Sequence, residues 1–181
     1  MYTVRQTRAT DLHLIHRMYD SLSEDSKRYF HPVFLGYENF SFKWFLSQIA
    51  LLLSTVKLLR KMLLNIFPYS VFLSLVVSDQ NNVVGYAFLR IKRRLPNGRF
   101  SAELGIVVNE AHRGKGIGSM LMENLLKLAL QERISEIFLT VLSDNVVALK
   151  LYEKYGFKKV GETLDRWRGK AYLSIVMKKI L

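Results

Sequence analysis

The stretch from His112 to Leu121, HRGKGIGSML, places three glycines and two cations directly behind an apolar run. Apolar periodicity from Met120 to Ala129 predicts a helix after it, and the apolar run predicts a strand before it. A glycine-rich turn between a strand and a helix gathers unpaired backbone N–H groups at the positive end of the helix dipole, where phosphate oxygens bind well. Glycine content alone fits two interpretations, a phosphate-binding loop and a flexible turn that carries two charges.

Two common phosphate-binding patterns do not fit the stretch. The P-loop pattern GxxxxGK[ST] fails because Asn109 stands where its first glycine should be and Gly116 follows Lys115. The dinucleotide pattern GxGxxG fails because Ser119 occupies the position of its third glycine. Neither a P-loop nucleotidase nor a dinucleotide-binding fold is therefore indicated.

Other kinds of chemistry are also disfavoured by residue type and spacing. The chain has no cysteine, which excludes disulfides, thiolate nucleophiles and cysteine-ligated zinc. The serines lack a glycine-flanked nucleophile elbow, so a serine hydrolase is not supported. The histidines have no spacing with carboxylates that resembles HExxH, and the sequence predicts no metal site. They are His13, His16, His31 and His112.

Patterns typical of strands and of helices follow one another along the chain without an internal repeat, and these elements must position the loop. Thr10 and Asp11 are plausible caps of a first helix. In the turn LPNG, Asn97 and Gly98 are expected to supply the positive φ angles of a tight hairpin. The predicted elements are strand 2–6, a helix at 12–22, a short helix near Ser23, hairpin strands within 71–89 around SDQNN, a strand ending near Arg93, strand 100–108, the helix after the loop, strand 136–142, helix 146–155 closed by Gly156, and strands 160–163 and 172–177.

Two motifs together give the sequence a family resemblance. Arg113 to Gly118 fits the pattern [RQ]xxGx[GA] between a strand and a helix, and LTVLSDNVVALKLYEKYGFKKVGE combines a strand, an asparagine and LYxxxGF. Here the sequence resembles the GNAT family of acyl-CoA N-acyltransferases, closely over 100–162 and loosely over the whole chain. The resemblance implies an α/β (α+β) fold with a mixed, mostly antiparallel central sheet that is splayed at the cofactor site and flanked by helices.

The resemblance also implies an acetyl-CoA site. The pantetheine arm would pair with the backbone of Ile106, Val107 and Val108. The pyrophosphate would meet the loop amides, where glycine lets the backbone approach closely. Asn145 matches the asparagine that contacts the cofactor arm, and it can cap the following helix at the same time. The implied loop residues are Arg113, Gly114, Lys115, Gly116, Ile117, Gly118 and Ser119.

Two catalytic residues follow from the same resemblance. Tyr152 stands in LYEKYGF at the position of the tyrosine that donates a proton to the departing CoA thiolate, and its alternative is a core tyrosine on an apolar helix face. Glu103, in AELGIVV, is the candidate base that removes a proton from the attacking amine, and its alternatives are a surface position or a water chain. Relatives that acetylate protein N-termini often read LEV before the asparagine, whereas this chain has Thr140 in LTV.

The length, composition and net charge of the chain indicate its domain count, its location and the kind of partner it binds. A chain of 181 residues, half of them hydrophobic, predicts a single domain over 1–181. The N-terminus carries no secretory signal, so a cytoplasmic protein is expected. The net charge of +12 favours an anionic partner.

One segment does not fit the motifs. Residues 39–67 read as one long apolar helix whose uncharged core, from Trp44 to Val56, is too short to span a bilayer that needs about 20 residues. Three interpretations remain open: a helix between the core and a homodimer partner, a lid over the acceptor site, and a peripheral membrane contact, which is not favoured.

The leading hypothesis is a basic cytoplasmic N-acetyltransferase that moves the acetyl group of acetyl-CoA directly to a primary amine, of a small molecule or a protein, through a ternary complex. The alternative is a non-catalytic CoA-binding or basic protein associated with nucleic acid or ribosomes. Scattered basic residues and the lack of an aromatic-basic platform disfavour nucleic acid as a partner.

Overall fold

Four consecutive strands form the N-terminal half of the sheet in a computed structural model that describes residues 1–30 and 71–181. In chain order the elements are β1 (Tyr2–Gln6), helices α1 (Leu12–Asp20) and α2 (Glu24–Tyr29), then β2 (Phe72–Asp79), β3 (Asn82–Arg94) and β4 (Phe100–Val108). Each strand pairs antiparallel with the next. The apolar helix predicted at 39–67 lies outside the described residues.

Both predicted hairpins form, but the second turn uses its residues differently from the expectation. Gly98 has a φ of 75°, as predicted. The prediction for Asn97 was wrong, since Asn97 is not among the described residues with positive φ. The side-chain oxygen of Asn97 instead accepts a hydrogen bond from the backbone N–H of Arg99 at 3.0 Å, and this bond stabilises the turn.

The C-terminal half of the chain completes the sheet. Its elements are α3 (Ile117–Gln131), β5 (Ile134–Leu142), α4 (Val146–Lys154), β6 (Lys158–Trp167) and β7 (Lys170–Ile180). Within the described ranges seven strands follow the order β1-β2-β3-β4-β5-β7-β6, and only the β4–β5 pair is parallel. This arrangement confirms the predicted mixed, mostly antiparallel sheet, although the last two strands are longer than expected.

Helices cover the sheet on both faces, because alternate residues of each strand point to opposite sides. Leu104 belongs to the larger apolar cluster, which includes residues of α3 and Tyr152 of α4. Val107 belongs to a second cluster with residues of α1 and with Phe30, directly after α2. Strand β4 therefore contacts a helical layer on each side, and this position sets up the site described below.

Asp11 stabilises the start of the chain in a way that the sequence did not predict. Its carboxylate does not cap α1. It accepts two hydrogen bonds from the Arg5 guanidinium, at 2.6 and 2.7 Å, and one from the Arg8 backbone N–H at 2.7 Å. Burial raises the pKa of Asp11, but these contacts outweigh burial and hold the pKa below its ordinary value.

Asp11→Asn should therefore lower the free energy of unfolding at pH 7 by about 2 kcal/mol, because the partly buried Arg5 loses its charged partner. Since the folded-state pKa is depressed, the contribution is present above the unfolded pKa and is lost as pH falls through the folded value. Urea denaturation at pH 7 and at low pH measures both effects. The exposed Asp20→Asn is the matched control, and equal midpoints for the Asp11 variant and the wild type at pH 7 would contradict the assignment.

Candidate functional site

The sheet opens between its two central strands. β4 pairs with β5 only from Phe100 opposite Ile134 to Glu103 opposite Phe138. Beyond that point β4 stays paired with β3 and β5 stays paired with β7. Residues 104–108 and 139–142 thus border a wedge-shaped gap, which confirms the predicted splay of the sheet.

A cavity of about 760 Å³ passes through this gap. Ser119, Leu151 and Tyr152 line it from the α3 and α4 side, whereas Tyr29 and Phe30 line it from the α2 side. The cavity therefore connects the two faces of the sheet. Its lining residues are Ser26, Tyr29, Phe30, Ile106, Val107, Val108, His112, Arg113, Gly114, Gly116, Ile117, Gly118, Ser119, Thr140, Val141, Asp144, Asn145, Val146, Val147, Ala148, Lys150, Leu151, Tyr152 and Lys154.

The glycine-rich loop presents free backbone amides to this cavity. The amide of Met120 donates to the Gly116 carbonyl at 3.0 Å and is the first of α3 with an internal partner. Across the described part of the chain, the amides of residues 114–119 have no hydrogen-bond acceptor. Gly114 and Gly116 have φ angles of 73° and 78°, which side-chain-bearing residues rarely adopt. All of these residues except Lys115 line the cavity, and their free amides at a helix N-terminus form an anion-binding geometry.

The cations of the loop have different roles. Arg113 lines the cavity and is held in place, since its guanidinium donates to the Val108 carbonyl at 3.3 Å and to the Ser26 hydroxyl at 2.8 Å. The Lys115 ammonium instead donates to the Ala111 carbonyl at 3.1 Å, and Lys115 does not line the cavity. Lys115 is therefore the one residue of the predicted loop set that does not line the cavity in this conformation, and its contact with the cofactor stays a prediction.

Asn145 has the capping role predicted from sequence. Its side-chain oxygen accepts a hydrogen bond from the Ala148 amide at 3.2 Å, at the start of α4. Asn145 also lines the cavity. The residue thus fixes the beginning of the helix that carries Tyr152.

Tyr152 lies at the junction of the gap and the apolar core. The side chain is only 7% exposed, and its ring contacts Phe157 with centroids 5.9 Å apart. Its hydroxyl has no hydrogen-bond partner among the described residues. Burial raises the pKa of Tyr152 well above the ordinary value, so the phenol keeps its proton across the physiological range.

Glu103 lies at the last position where β4 pairs with β5, outside the cavity wall. Its carboxylate accepts a hydrogen bond from Arg90 Nε at 3.1 Å, contacts a second nitrogen of the same guanidinium, and lies 3.3 Å from the Lys92 ammonium. Burial raises the pKa of Glu103, but the two cations outweigh it and hold the pKa below its ordinary value. The carboxylate is ionised at neutral pH, and its basicity is weakened.

Several lining residues escaped the sequence analysis. Ser26 and Tyr29 come from α2 and Phe30 follows it directly, about 80 residues before the loop, and no spacing in the sequence connects them with the loop. Lys150 and Lys154 lie one turn apart on α4 and add positive charge to the cavity lining. Their i, i+4 spacing after Asn145 indicates that both lysines lie on one face of the helix, and this pattern could have identified them from the sequence.

Residues 1–30 and 71–181 contain neither a metal site nor a membrane-spanning helix. No group of three or more potential ligands there could hold a metal ion. None of the helices in these ranges has both the length and the apolar character to cross a bilayer.

Comparisons with known proteins point to one family. The sequence model of the Acetyltransferase (GNAT) family matches residues 19–157. A putative phosphinothricin acetyltransferase, YwnH of Bacillus subtilis, is 34% identical over 87 residues, which are 48% of this chain and 53% of that protein. The L-amino acid N-acetyltransferase AaaT of Escherichia coli is 34% identical over 88 residues, 48% of this chain and 54% of that protein. The chain spans about half the length of these relatives.

A solved structure supports the fold. The structure of yncA, a putative acetyltransferase from Salmonella typhimurium with its cofactor acetyl-CoA, superposes with a TM-score of 0.66 at 20% sequence identity. The match covers 99% of this chain and 93% of that one. At this identity the likeness shows a shared fold.

Proposed function

Because the chain belongs to the acetyltransferase (GNAT) family, we propose that it transfers the acetyl group of acetyl-CoA directly to an amine acceptor within a ternary complex. The observation that carries this proposal is a single cavity that joins the opened strand β4, the free amides of Gly114 and of residues 116–119, and the Tyr152 phenol. These are the parts needed to hold a pantetheine arm, a pyrophosphate and a departing thiolate in one line.

The proposed cofactor-binding residues lie along the cavity. Among Ile106, Val107 and Val108, the backbone groups that point away from β3 have no partner strand in β5 and can pair with the amides of the pantetheine arm. The loop amides take the pyrophosphate, with Arg113 and the α4 lysines adding charge. Asn145 contacts the arm while it caps α4.

Tyr152 acts as the general acid. When the amine nitrogen bonds to the carbonyl carbon, the carbon–sulfur bond breaks and the sulfur needs a proton. The Tyr152 hydroxyl is neutral, buried and free to turn toward the sulfur. Because burial raises the pKa of Tyr152 above that of a thiol, the phenol passes its proton to the sulfur as it takes another through water in the open cavity, so that no tyrosinate is left behind.

Glu103 serves as the base for the amine proton, through water rather than by direct contact, because the carboxylate lies outside the cavity wall. The ionised state that Arg90 and Lys92 favour allows it to accept a proton, although their charges limit how strongly it does so. A cationic ammonium must lose this proton before its nitrogen can attack.

Glu103→Gln should lower kcat by about tenfold, a modest effect that suits a weak base acting through water. Initial rates of thiol release against pH measure it, and the variant should lose the acid limb that the carboxylate contributes. Glu162→Gln, on the exposed strand β6, is the control. A rate equal to the wild type would remove Glu103 from the mechanism and leave water as the base.

The acceptor is a primary amine, of a small molecule or of a protein. Support comes from the relatives, which are named as acetyltransferases of L-amino acids and, putatively, of phosphinothricin. The cytoplasmic location and the homodimer stay predictions.

The function is tested by titrating acetyl-CoA into the purified protein in a calorimeter and then measuring thiol release with a panel of amines. We expect micromolar binding and release of thiol with one class of amine. Binding without release for any amine would contradict transfer and favour the non-catalytic alternative. No binding would contradict the site itself.

A further inference from the structure

Helix α2 forms one wall of the cavity and is anchored to the β4 side of the gap. The backbone N–H and the hydroxyl of Ser23 both donate to the Glu110 carboxylate, at 2.9 and 2.6 Å, just after β4. Arg113 reaches the Ser26 hydroxyl at 2.8 Å. These contacts fix the start and the middle of α2 to the loop that follows β4.

The end of α2 rests on β4 itself. The ring of Phe30 packs against that of Phe88 with centroids 6.2 Å apart. Both rings lie over Gly105, where an added Cβ would come within 3.1 Å of Phe30 and 2.3 Å of Phe88. Glycine at this position lets the aromatic wall sit directly on the strand, one residue before Ile106, where the gap is narrow.

Arg28 connects this wall to the opposite side of the gap. Its guanidinium forms an ion pair with Asp144, at 2.9 Å, in the loop that follows β5. The same group stacks over the Tyr172 ring of β7 at 4.9 Å and over the Tyr29 ring at 4.8 Å, and it donates to the Tyr29 hydroxyl at 3.0 Å. The Arg28 side chain is only 18% exposed, whereas that of Asp144 is 51% exposed, so the burial of the pair comes from the arginine. A charge-assisted pair with two aromatic stacking contacts is among the stronger polar arrangements available at a partly buried site.

We propose that Arg28 is a specificity-determining residue that limits the length of the acyl group the site accepts. This inference rests on the proposed function, because it takes the cavity to be the acyl-CoA site. With pantetheine along Ile106 to Val108, the acyl group ends beside Tyr29 and Phe30. Arg28 ties that wall to Asp144 and Tyr172, so the wall cannot move back to admit a longer chain.

The magnitude of the effect follows from how enzymes discriminate by size. Each methylene that a fitted apolar pocket excludes changes selectivity by about tenfold or more. A wall held on both sides of the gap resists displacement, whereas a wall held only on the β4 side can yield. Loss of the Arg28 contacts should therefore raise the affinity for CoA thioesters with a longer acyl group and change the affinity for acetyl-CoA much less.

The experiment measures the dissociation constants of acetyl-CoA and butyryl-CoA by calorimetry for the wild type and for Arg28→Met, a side chain of similar length without charge. We expect the wild type to prefer acetyl-CoA, and the preference to fall by about tenfold in the variant. Arg28→Lys keeps the ion pair with Asp144 and should restore part of the preference.

Arg168→Met is the matched control. Arg168 also joins α2 to the far half of the sheet, through an ion pair with Glu24 at 2.7 Å, but both partners are more than half exposed. An exposed pair contributes little, so the acyl preference of this variant should equal that of the wild type. If loss of either arginine simply loosened α2, the acyl preference would fall equally in Arg28→Met and Arg168→Met.

The outcomes separate the two proposals. If the wild type binds neither acyl-CoA, the proposed function fails and this inference fails with it. If the wild type binds acetyl-CoA but the preference is unchanged in Arg28→Met, only the role of Arg28 is overturned. Should Arg28→Met melt below the assay temperature, Asp144→Asn breaks the same contact from the other side of the gap and must show the same loss of preference.

Discussion

Replacing Tyr152 by phenylalanine should lower kcat by about 100- to 1,000-fold while changing the dissociation constant of acetyl-CoA by less than about twofold. The ring fills an apolar site that phenylalanine fills equally well, with 7% of the side chain exposed. Only the hydroxyl is lost, and it has no other partner among the described residues that could account for an effect on folding. Steady-state thiol release and calorimetry on the same preparation measure the two quantities.

Tyr155→Phe supplies the control for this experiment. Tyr155 stands directly after the same helix, but its hydroxyl donates to the Glu123 carboxylate at 2.7 Å and it does not line the cavity. Its removal should leave kcat unchanged. Because burial raises the pKa of Tyr152 above the ordinary value of about 10, no alkaline loss of wild-type activity below that pH should trace to this group. A Tyr152 variant with full turnover would refute the proton-donor role.

Gly116→Val should weaken acetyl-CoA binding by about 100-fold or more, the largest effect expected on the cofactor. Two causes act together. The φ of 78° at the start of α3 suits glycine and strains a β-branched side chain, and the new methyl groups would occupy space in the cavity where phosphate oxygens approach the amides. Calorimetric titration of acetyl-CoA measures the loss.

Gly98→Val separates these two causes. Gly98 has nearly the same backbone angle, with φ of 75°, and a Cβ there also meets nothing within 4 Å, but it lies in the β3–β4 turn away from the cavity. This variant carries a similar strain and should bind acetyl-CoA normally. If Gly116→Val binds as well as Gly98→Val, the pyrophosphate does not lie at this loop.

Much of the fold could be predicted because its signals are local. The turns around Gly98 and the αL closure of α4 at Gly156 follow from residues within a few positions of each other. The loop, Asn145 and Tyr152 were predicted as site residues from a family resemblance, which two short and contiguous motifs carry. The prediction for Asn97 was wrong because an asparagine in a turn can either adopt a positive φ or accept a backbone hydrogen bond with its side-chain oxygen. The sequence does not distinguish these two roles.

The missing parts of the site depend on contacts between distant segments. Tyr29 and Phe30 enter the cavity only because α2 folds back over Gly105, and no local pattern records that packing. The environment of Glu103 depends on Arg90, which the β3–β4 register brings directly opposite it. The sequence predicts that Glu103 lies on a strand, but the cations that lower its pKa are identified only when the pairing of β3 with β4 is known.

The opened ladder between β4 and β5 has a consequence for how the protein responds to its surroundings. The halves β1–β4 and β5–β7 share only the four paired positions from Phe100 to Glu103 within the sheet. A pantetheine arm lying in the gap would act as a surrogate strand and bridge the halves. Hydrogen exchange should then slow, on addition of acetyl-CoA, at those amides of residues 104–108 that point away from β3, and the melting temperature should rise with the logarithm of cofactor concentration. The protein's lifetime against proteolysis would thereby follow the supply of acetyl-CoA.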